Sequence, residues 1–164
     1  MTKPVIYLAG PVALHPGARH LMRYLRELCA ARGFDATGPE PLSAAGGAPS
    51  REKSLELLRG CDLVIACISP FRGPGADPAT AFEMGFAEGL GKPVIAWSEE
   101  TSPYIDRVPH DRDADGRSFC RQHGMLVEDF GLTENLMLAA GAVPVQPTFE
   151  AALERAVAVW AALN

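Results

Sequence analysis

No apolar run in this chain approaches the roughly 18 residues that a bilayer span requires, and no basic segment followed by an apolar signal core opens it. These absences exclude a membrane partner and place the protein in the cytoplasm. Basic charge is also short. Fifteen Lys and Arg against 20 Asp and Glu leave a net charge of -5, the wrong sign for a nucleic-acid partner, whose phosphates need a net basic face. Arg19, Arg23 and Arg26 come nearest to a basic patch, and their helical spacing reads as a solvated helix face. Cys29, Cys61, Cys67 and Cys120 contain no Cys-x-x-Cys pair and no metal-ligand spacing with His15, His20, His110 or His123. They read as reduced thiols, with no metal or organic cofactor expected. No internal repeat is present.

What the chain does have is a normal core. With 48% apolar residues in 164, it has the size and composition of a single domain, residues 1–164. Residues 5–10 form a short apolar run ended by Gly10-Pro11, a buried strand and a turn. Residues 17–32 carry Leu21, Tyr24, Leu25 and Leu28 on one helical face, with Gly33 as the stop. Residues 34–37 make a weak strand, and the Gly-, Pro- and Ala-rich residues 38–49 a loop. Ser50 is placed to cap a helix running to Arg59. Residues 62–69 hold an unbroken Leu-Val-Ile-Ala-Cys-Ile run, the mark of a strand covered on both faces, and residues 93–97 the next strand. Residues 99–123 are charged and irregular, a long insertion of the kind that serves function or an interface. Thr133 is placed to cap a helix through Ala140, and Thr148 another through Ala162.

Strands alternating with helices imply a doubly wound, flavodoxin-like α/β sheet of about five parallel strands, with helices on both faces. Ligands in such sheets bind at the carboxyl ends of the strands. Three segments meet there: Gly10-Pro11, residues 70–77 and the turn after Trp97.

Residues 77–91, Asp-Pro-Ala-Thr-Ala-Phe-Glu-Met-Gly-Phe-Ala-Glu-Gly-Leu-Gly, carry the strongest signal. Asp77 and Pro78 have the form of an N-cap and first helical residue, and Gly91 that of a stop, giving about four turns of helix. Phe82, Phe86 and Leu90 recur every four residues as an apolar stripe, while Ala79, Gly85, Ala87 and Gly89 leave little bulk elsewhere. Close approach by a ligand or another backbone would account for the cost of interior glycines. Glu83 then stands at the edge of a packed face, where a carboxylate must be paired, solvated or reactive. Glu88, about 140° away on the same helix, reads as solvent-facing.

Tyr7-Leu8-Ala9-Gly10-Pro11, then Asp62, then Asp77 with Glu83 six residues on, then Glu128-Asp129-Phe130-Gly131-Leu132 running into Glu134-Asn135-Leu136-Met137-Leu138, resembles the nucleoside 2-deoxyribosyltransferase family over residues 5–140. It is more distantly similar to the deoxynucleotide N-hydrolases. The resemblance implies that Glu83 is a nucleophile that captures the anomeric carbon of a deoxynucleoside as a covalent deoxyribosyl-enzyme. A second base then resolves this intermediate. A carboxylate below the ring suits an oxocarbenium-like transition state, and Asp77 or Asp62 would assist the leaving base. By the same resemblance Tyr7 hydrogen-bonds and orients Glu83. Gly10, Pro11, Asp62, Phe71, Asn135 and Met137 contact substrate, Asn135 by reaching a neighbouring subunit's site. That implies a homo-oligomer acting on deoxynucleosides and free nucleobases.

Taken without the resemblance, Asp77 reads as a helix cap, Asp62 as a strand start, Tyr7 as a core aromatic and Asn135 as part of a helix start. Two other functions compete: a deoxynucleoside or deoxynucleotide N-glycosidic hydrolase, and a non-catalytic nucleotide sensor. A phosphorylated substrate would demand a basic or serine-rich cradle near Pro11, and Val12-Ala13-Leu14 supplies neither, which favours a nucleoside.

Overall fold

The computed structural model describes residues 2–39, 46–141 and 143–163. Strands β1 (Val5–Ala9), β2 (Asp35–Thr37), β3 (Leu63–Cys67) and β4 (Val94–Trp97) form one parallel sheet in the order β2-β1-β3-β4. Around it lie α1 (Ala18–Ala31), α2 (Gly47–Gly60), α3 (Pro78–Gly89) and, beyond a hairpin and a short helix, α6 (Phe149–Leu163). Among the described residues the sheet has four strands rather than five. Where a fifth would pair with β4, Gln146 alone of the described residues does, its N–H and C=O bonding to Ala96 and Ser98 at 2.9 Å each. Pro144 and Pro147 flank it, and a residue without an N–H cannot extend a ladder.

The strands alternate as a sheet covered on both faces must. Ile6, Leu8, Leu63, Ile65 and Ile95 point to a core closed by α1 and α6, through Met22, Leu25, Cys29, Phe149, Leu153 and Ala156. Tyr7, Ala9, Val64, Ala66 and Ala96 point the opposite way, to a core closed by α2 and α3 through Leu55, Leu58, Met84 and Ala87. On α1 the buried stripe is Ala18, Met22, Leu25 and Cys29, with Tyr24 turned out to solvent, so the face is rotated from the sequence expectation. Helix α2 starts at Gly47 after an N-cap at Gly46, four residues before the expected cap at Ser50. Ser50 is therefore inside the helix, where its hydroxyl donates to the Gly46 carbonyl at 2.8 Å instead of capping. Part of the expected 38–49 loop, residues 40–45, lies outside the described residues. Thr148 does cap α6, accepting from the Ala151 N–H at 3.1 Å.

The 99–123 insertion is more ordered than its charge pattern suggests. It contains the short helix α4 (Tyr104–Arg107) and a two-stranded antiparallel hairpin, β5 (His110–Arg112) and β6 (Ser118–Cys120). Asp113 builds the turn, accepting the N–H groups of Asp115 and Arg117 at 3.0 and 2.9 Å and the Arg117 guanidinium at 2.8 Å. Helix α5 (Leu136–Ala139) follows. Its cap is Asn135, whose Oδ1 accepts the Met137 N–H at 3.0 Å; Thr133 does not cap it. No described helix is long and apolar enough to cross a membrane.

Candidate active site

Helix α3 buries Thr80, Glu83, Met84 and Ala87, spaced as one face of a helix laid on the sheet. Glu83 is thus in the middle of the buried face, not at its edge. The Phe82, Phe86 and Leu90 stripe faces outward instead, with Phe82 half exposed. Arg51 and Arg59 of α2 sit over the rings of Phe82 and Phe86 at 5.4 and 5.6 Å, a cation–π cover that lets the stripe remain at the surface. Gly85 and Gly89 also face out, and a Cβ built on either meets nothing within 4 Å. They are not clearance for a ligand. Glu88 is exposed, as its angle on the helix predicts.

Tyr7 comes from the opposite direction, out of the centre of β1 onto the same face. The two side chains meet there, the Tyr7 hydroxyl donating to Glu83 Oε1 at 2.5 Å across 76 residues of sequence. Both groups are buried. Burial raises the Glu83 carboxyl, the Tyr7 hydrogen bond lowers it and the nearby Asp77 charge raises it, for a net value of about 7. The Tyr7 hydroxyl is itself driven far above its ordinary range by burial, by the Glu83 charge and by its bond to Glu83. It therefore stays a proton donor at any working pH. The Ser54 side chain on α2 hydrogen-bonds this hydroxyl and acts in the opposite sense. Nothing in the sequence marks Ser54, an ordinary polar residue inside an amphipathic helix.

Asp77 is buried at the mouth of α3. Its Oδ2 accepts the Thr80 N–H at 3.2 Å and the Thr80 hydroxyl at 3.0 Å, a capped helix start as its sequence predicts. Both bonds use Oδ2, and among the described residues Oδ1 has no hydrogen-bond partner. Gly10 closes against β3, where a Cβ would lie 3.0 Å from Cys67 Cβ, and Pro11 opens a 3-10 turn, Pro11–Leu14. Phe71 begins the loop to Asp77, its N–H bonded to the Gly75 carbonyl at 2.8 Å. The turn after Trp97 joins this edge through the Glu99 N–H, bonded to Ser69 Oγ at 3.1 Å.

Asp62 is the departure. It precedes β3, at the amino edge of the sheet, and its Oδ2 accepts the Val5 N–H at 2.7 Å. A carboxylate that closes the start of two parallel strands is at the other end from Gly10, Pro11 and Asp77, so the geometry gives Asp62 a structural task and leaves Asp77 as the acid near Glu83.

A second polar cluster, of which the sequence reading named Glu128, Glu134 and Asn135 but not Arg107, holds the Asp77 loop in place. Arg107 on α4 donates to the carbonyls of Pro74 at 3.1 Å, Ser102 at 2.8 Å and Thr133 at 2.5 Å, and pairs with Glu134 at 3.5 Å. Glu134 is only 3% exposed. It packs against Gly75 and accepts backbone N–H groups from Asn135 at 2.9 Å and from Ala76. Its carboxyl is nevertheless raised by burial, the largest influence on it. Asn135 gives its Nδ2 to Glu128 Oε1 at 2.5 Å, and Met137 is 77% exposed. Among the described residues neither contacts Tyr7 or Glu83, and no group of three His, Cys, Asp or Glu is placed to share a metal ion.

Comparison with known proteins places the fold and the family. A 2-deoxyribosyltransferase from Leishmania mexicana superposes with a TM-score of 0.79 at 34% identity, covering 94% of this chain and 97% of that one. A 2-deoxyribosyltransferase from Bacillus psychrosaccharolyticus is 25% identical over 57% of this chain and 72% of its own, with a TM-score of 0.45. An uncharacterized protein of Schizosaccharomyces pombe is 34% identical over 117 residues, 64% of this chain, and the match spans 54% of that longer relative. The family model for nucleoside 2-deoxyribosyltransferase matches residues 6–137, a span that takes in Tyr7, Asp77, Glu83 and the Glu134–Asn135 cluster, and the chain belongs to that family.

Proposed function

We propose that this protein transfers 2-deoxyribose between nucleobases through a covalent deoxyribosyl-Glu83 intermediate. The observation that carries the reading is the buried Tyr7–Glu83 hydrogen bond. It occupies Oε1 with a permanent donor and leaves Oε2 to attack. In the first half-reaction Oε2 forms a bond to the anomeric carbon as the bond from that carbon to the base nitrogen breaks, and the base departs with its electron pair. Asp77, with Oδ1 uncommitted, is the side chain that would meet the departing base and carry the proton it gains. In the second half-reaction a nitrogen of the incoming base attacks the same carbon, the base gives up a proton to Asp77, and Glu83 leaves as a carboxylate.

Removal from water favours this chemistry. A carboxylate with poor solvation is a stronger nucleophile once ionised, and positive charge developing on the sugar replaces the solvation it has lost. Soluble homo-oligomers that share sites through Asn135 belong to the same reading. Its support is the exposure of Met137 beside the Asn135 cap and of Met125, Leu126 and Phe130 on the preceding segment.

The test is incubation with deoxyinosine, with and without adenine, followed by chromatography. Deoxyadenosine formed only when adenine is present, and not by Glu83→Ala, is the expected result. Hypoxanthine released without exchange would replace transfer with hydrolysis. Binding without turnover across a panel of deoxynucleosides would leave a sensor.

A further inference from the structure

The loop that delivers Asp77 to the start of α3, residues 70–77, contains Gly73 and Gly75 among its eight residues. Glycine leaves a backbone free to wander, and such a loop does not by itself hold a carboxylate to the fraction of an ångström that acid catalysis demands. Within it the Phe71 N–H meets the Gly75 carbonyl at 2.8 Å. Thr80 takes one oxygen of Asp77, Oδ2, and the chain entering from Ala76 decides where the other is directed.

What fixes that chain comes from the 99–123 insertion. Arg107 on α4 sends Nε to the Pro74 carbonyl at 3.1 Å, Nη1 to the Ser102 carbonyl at 2.8 Å and Nη2 to the Thr133 carbonyl at 2.5 Å. These carbonyls belong to the Asp77 loop, the segment after β4 and the segment entering α5. A guanidinium is a planar fork whose N–H groups diverge in fixed directions, so one side chain locks three stretches of backbone at once. A lysine ammonium gathers its donors on one atom and does not reach all three. Tyr104, one turn earlier on the same helix, lies under the guanidinium with its ring centroid 5.6 Å from Cζ. Glu134 Oε2 supplies the opposite charge at 3.5 Å, and the two side chains are only 12% and 2% exposed.

Glu134 carries the connection to the residue before Asp77. Its Oε1 lies 3.4 Å from where a Cβ on Gly75 would stand, and its carboxylate accepts the N–H of Ala76 and, at 2.9 Å, that of Asn135. Pro74, Gly75 and Ala76, the three residues that lead into Asp77, are thus each met by the Arg107–Glu134 pair. A pair this deeply buried costs desolvation that a surface pair does not, and what it supplies here is one fixed path into Asp77. Resting on the proposed reading of Glu83, we infer that Arg107 and Glu134 are positioning residues for deoxyribosyl transfer, fixing the backbone before Asp77 so that Oδ1 is directed at the departing base. Their effect on rate passes through Asp77, not through contact with the sugar or the base. This gives the insertion a task, since α4 is the element that carries Arg107.

A double-mutant cycle on the full chain separates positioning from ordinary stability. The rate of deoxyadenosine formation from deoxyinosine and adenine is measured for wild type, Arg107→Lys, Asp77→Asn and the pair, at a temperature where circular dichroism shows every variant folded. Arg107→Lys should lower kcat by about 10- to 100-fold with KM nearly unchanged, the scale of a misplacement of about 1 Å. In the Asp77→Asn background the same substitution should lower kcat by less than about two-fold, because the acid it positions is already gone. Amide hydrogen exchange of residues 71–77 should quicken in Arg107→Lys while that of β1 and β3 holds. Glu134→Gln, taken through the same cycle, should behave alike and stands in if Arg107→Lys does not fold. Losses that multiply in the double variant, full activity of Asp77→Asn, or unchanged amide exchange in residues 71–77 would each overturn the positioning role while leaving transfer intact. Absence of transfer and of base release by the wild type would sink the reading of Glu83 and the positioning role together, whatever the amide exchange shows.

Discussion

On the proposed reading Glu83 carries two opposed demands, since it must ionise to attack a sugar yet is buried where ionisation is costly. With its carboxyl near 7 in the folded protein against an ordinary value of 4.5, folding favours the neutral form, and stability falls as pH rises from about 4.5 through 7. Fully ionised, the group costs on the order of 3 kcal/mol. Glu83→Gln should therefore raise the melting temperature at pH 8 by up to about 10 °C and change it little at pH 5, while transfer falls on the order of 10³-fold or more. A calorimetric scan at both pH values decides it; equal gains at both would show that ionisation is not the source. The same value predicts that kcat rises with pH through about 7. Tyr7→Phe removes the hydrogen bond that lowers the Glu83 carboxyl, so the rise should move to higher pH with a loss of about 10- to 100-fold near neutrality. A pH–rate profile unchanged from wild type would show that Tyr7 does not set the ionisation.

The elements divide the work between starting a helix and holding a loop. At α3 the cap and the acid are the same residue, and substitution can separate them. Asp77→Asn keeps an oxygen for the Thr80 N–H and should leave stability nearly unchanged, whereas Asp77→Ala should cost about 1 kcal/mol. Both should slow transfer. If Asn retains full activity by initial-rate assay, Asp77 is a cap alone. Around the loop, Arg107 binds three carbonyls and one carboxylate at 12% side-chain exposure. Arg107→Met leaves Glu134 buried without its cation, a loss of about 3 to 5 kcal/mol in urea unfolding. Glu134→Gln, which keeps acceptors for the Ala76 and Asn135 N–H groups, should cost less. The start and stop of α3 were legible because capping chemistry is local. The direction of its faces was not: Phe82 and Phe86 look like a core stripe, and only Arg51 and Arg59 of another helix explain why they stay outside.

For the molecule as a whole, the proposed reading requires more than one copy. Sedimentation should give a mass above the 17.5 kDa of one chain, and Met137→Asp should dissociate the assembly and depress activity together. A fully active monomer would overturn the shared site. The parallel strands, the burial of β3 on both faces and the motif from Tyr7 to Asn135 could be read from the chain because strand periodicity, glycine and proline punctuation and caps act over a few residues. The missing fifth strand was legible in principle, in Pro144 and Pro147.

Other features depend on contacts between residues far apart in sequence, which periodicity does not record. Asp62 looked like a second site acid because its residue type is right; the sheet's polarity puts it at the wrong end and ties it to Val5. Ser54, Arg107 and Glu134 gained their parts only when α2, α4 and the Asp77 loop came together. The sequence by itself determined that a capped, mostly apolar helix would carry Glu83, since caps and helical periodicity act over a few residues. Tertiary structure alone decided that Tyr7 faces Glu83, that Asp62 does not, and that Arg107 reaches the Asp77 loop, because distance in space, burial and the field of neighbouring charges arise only when the chain is folded.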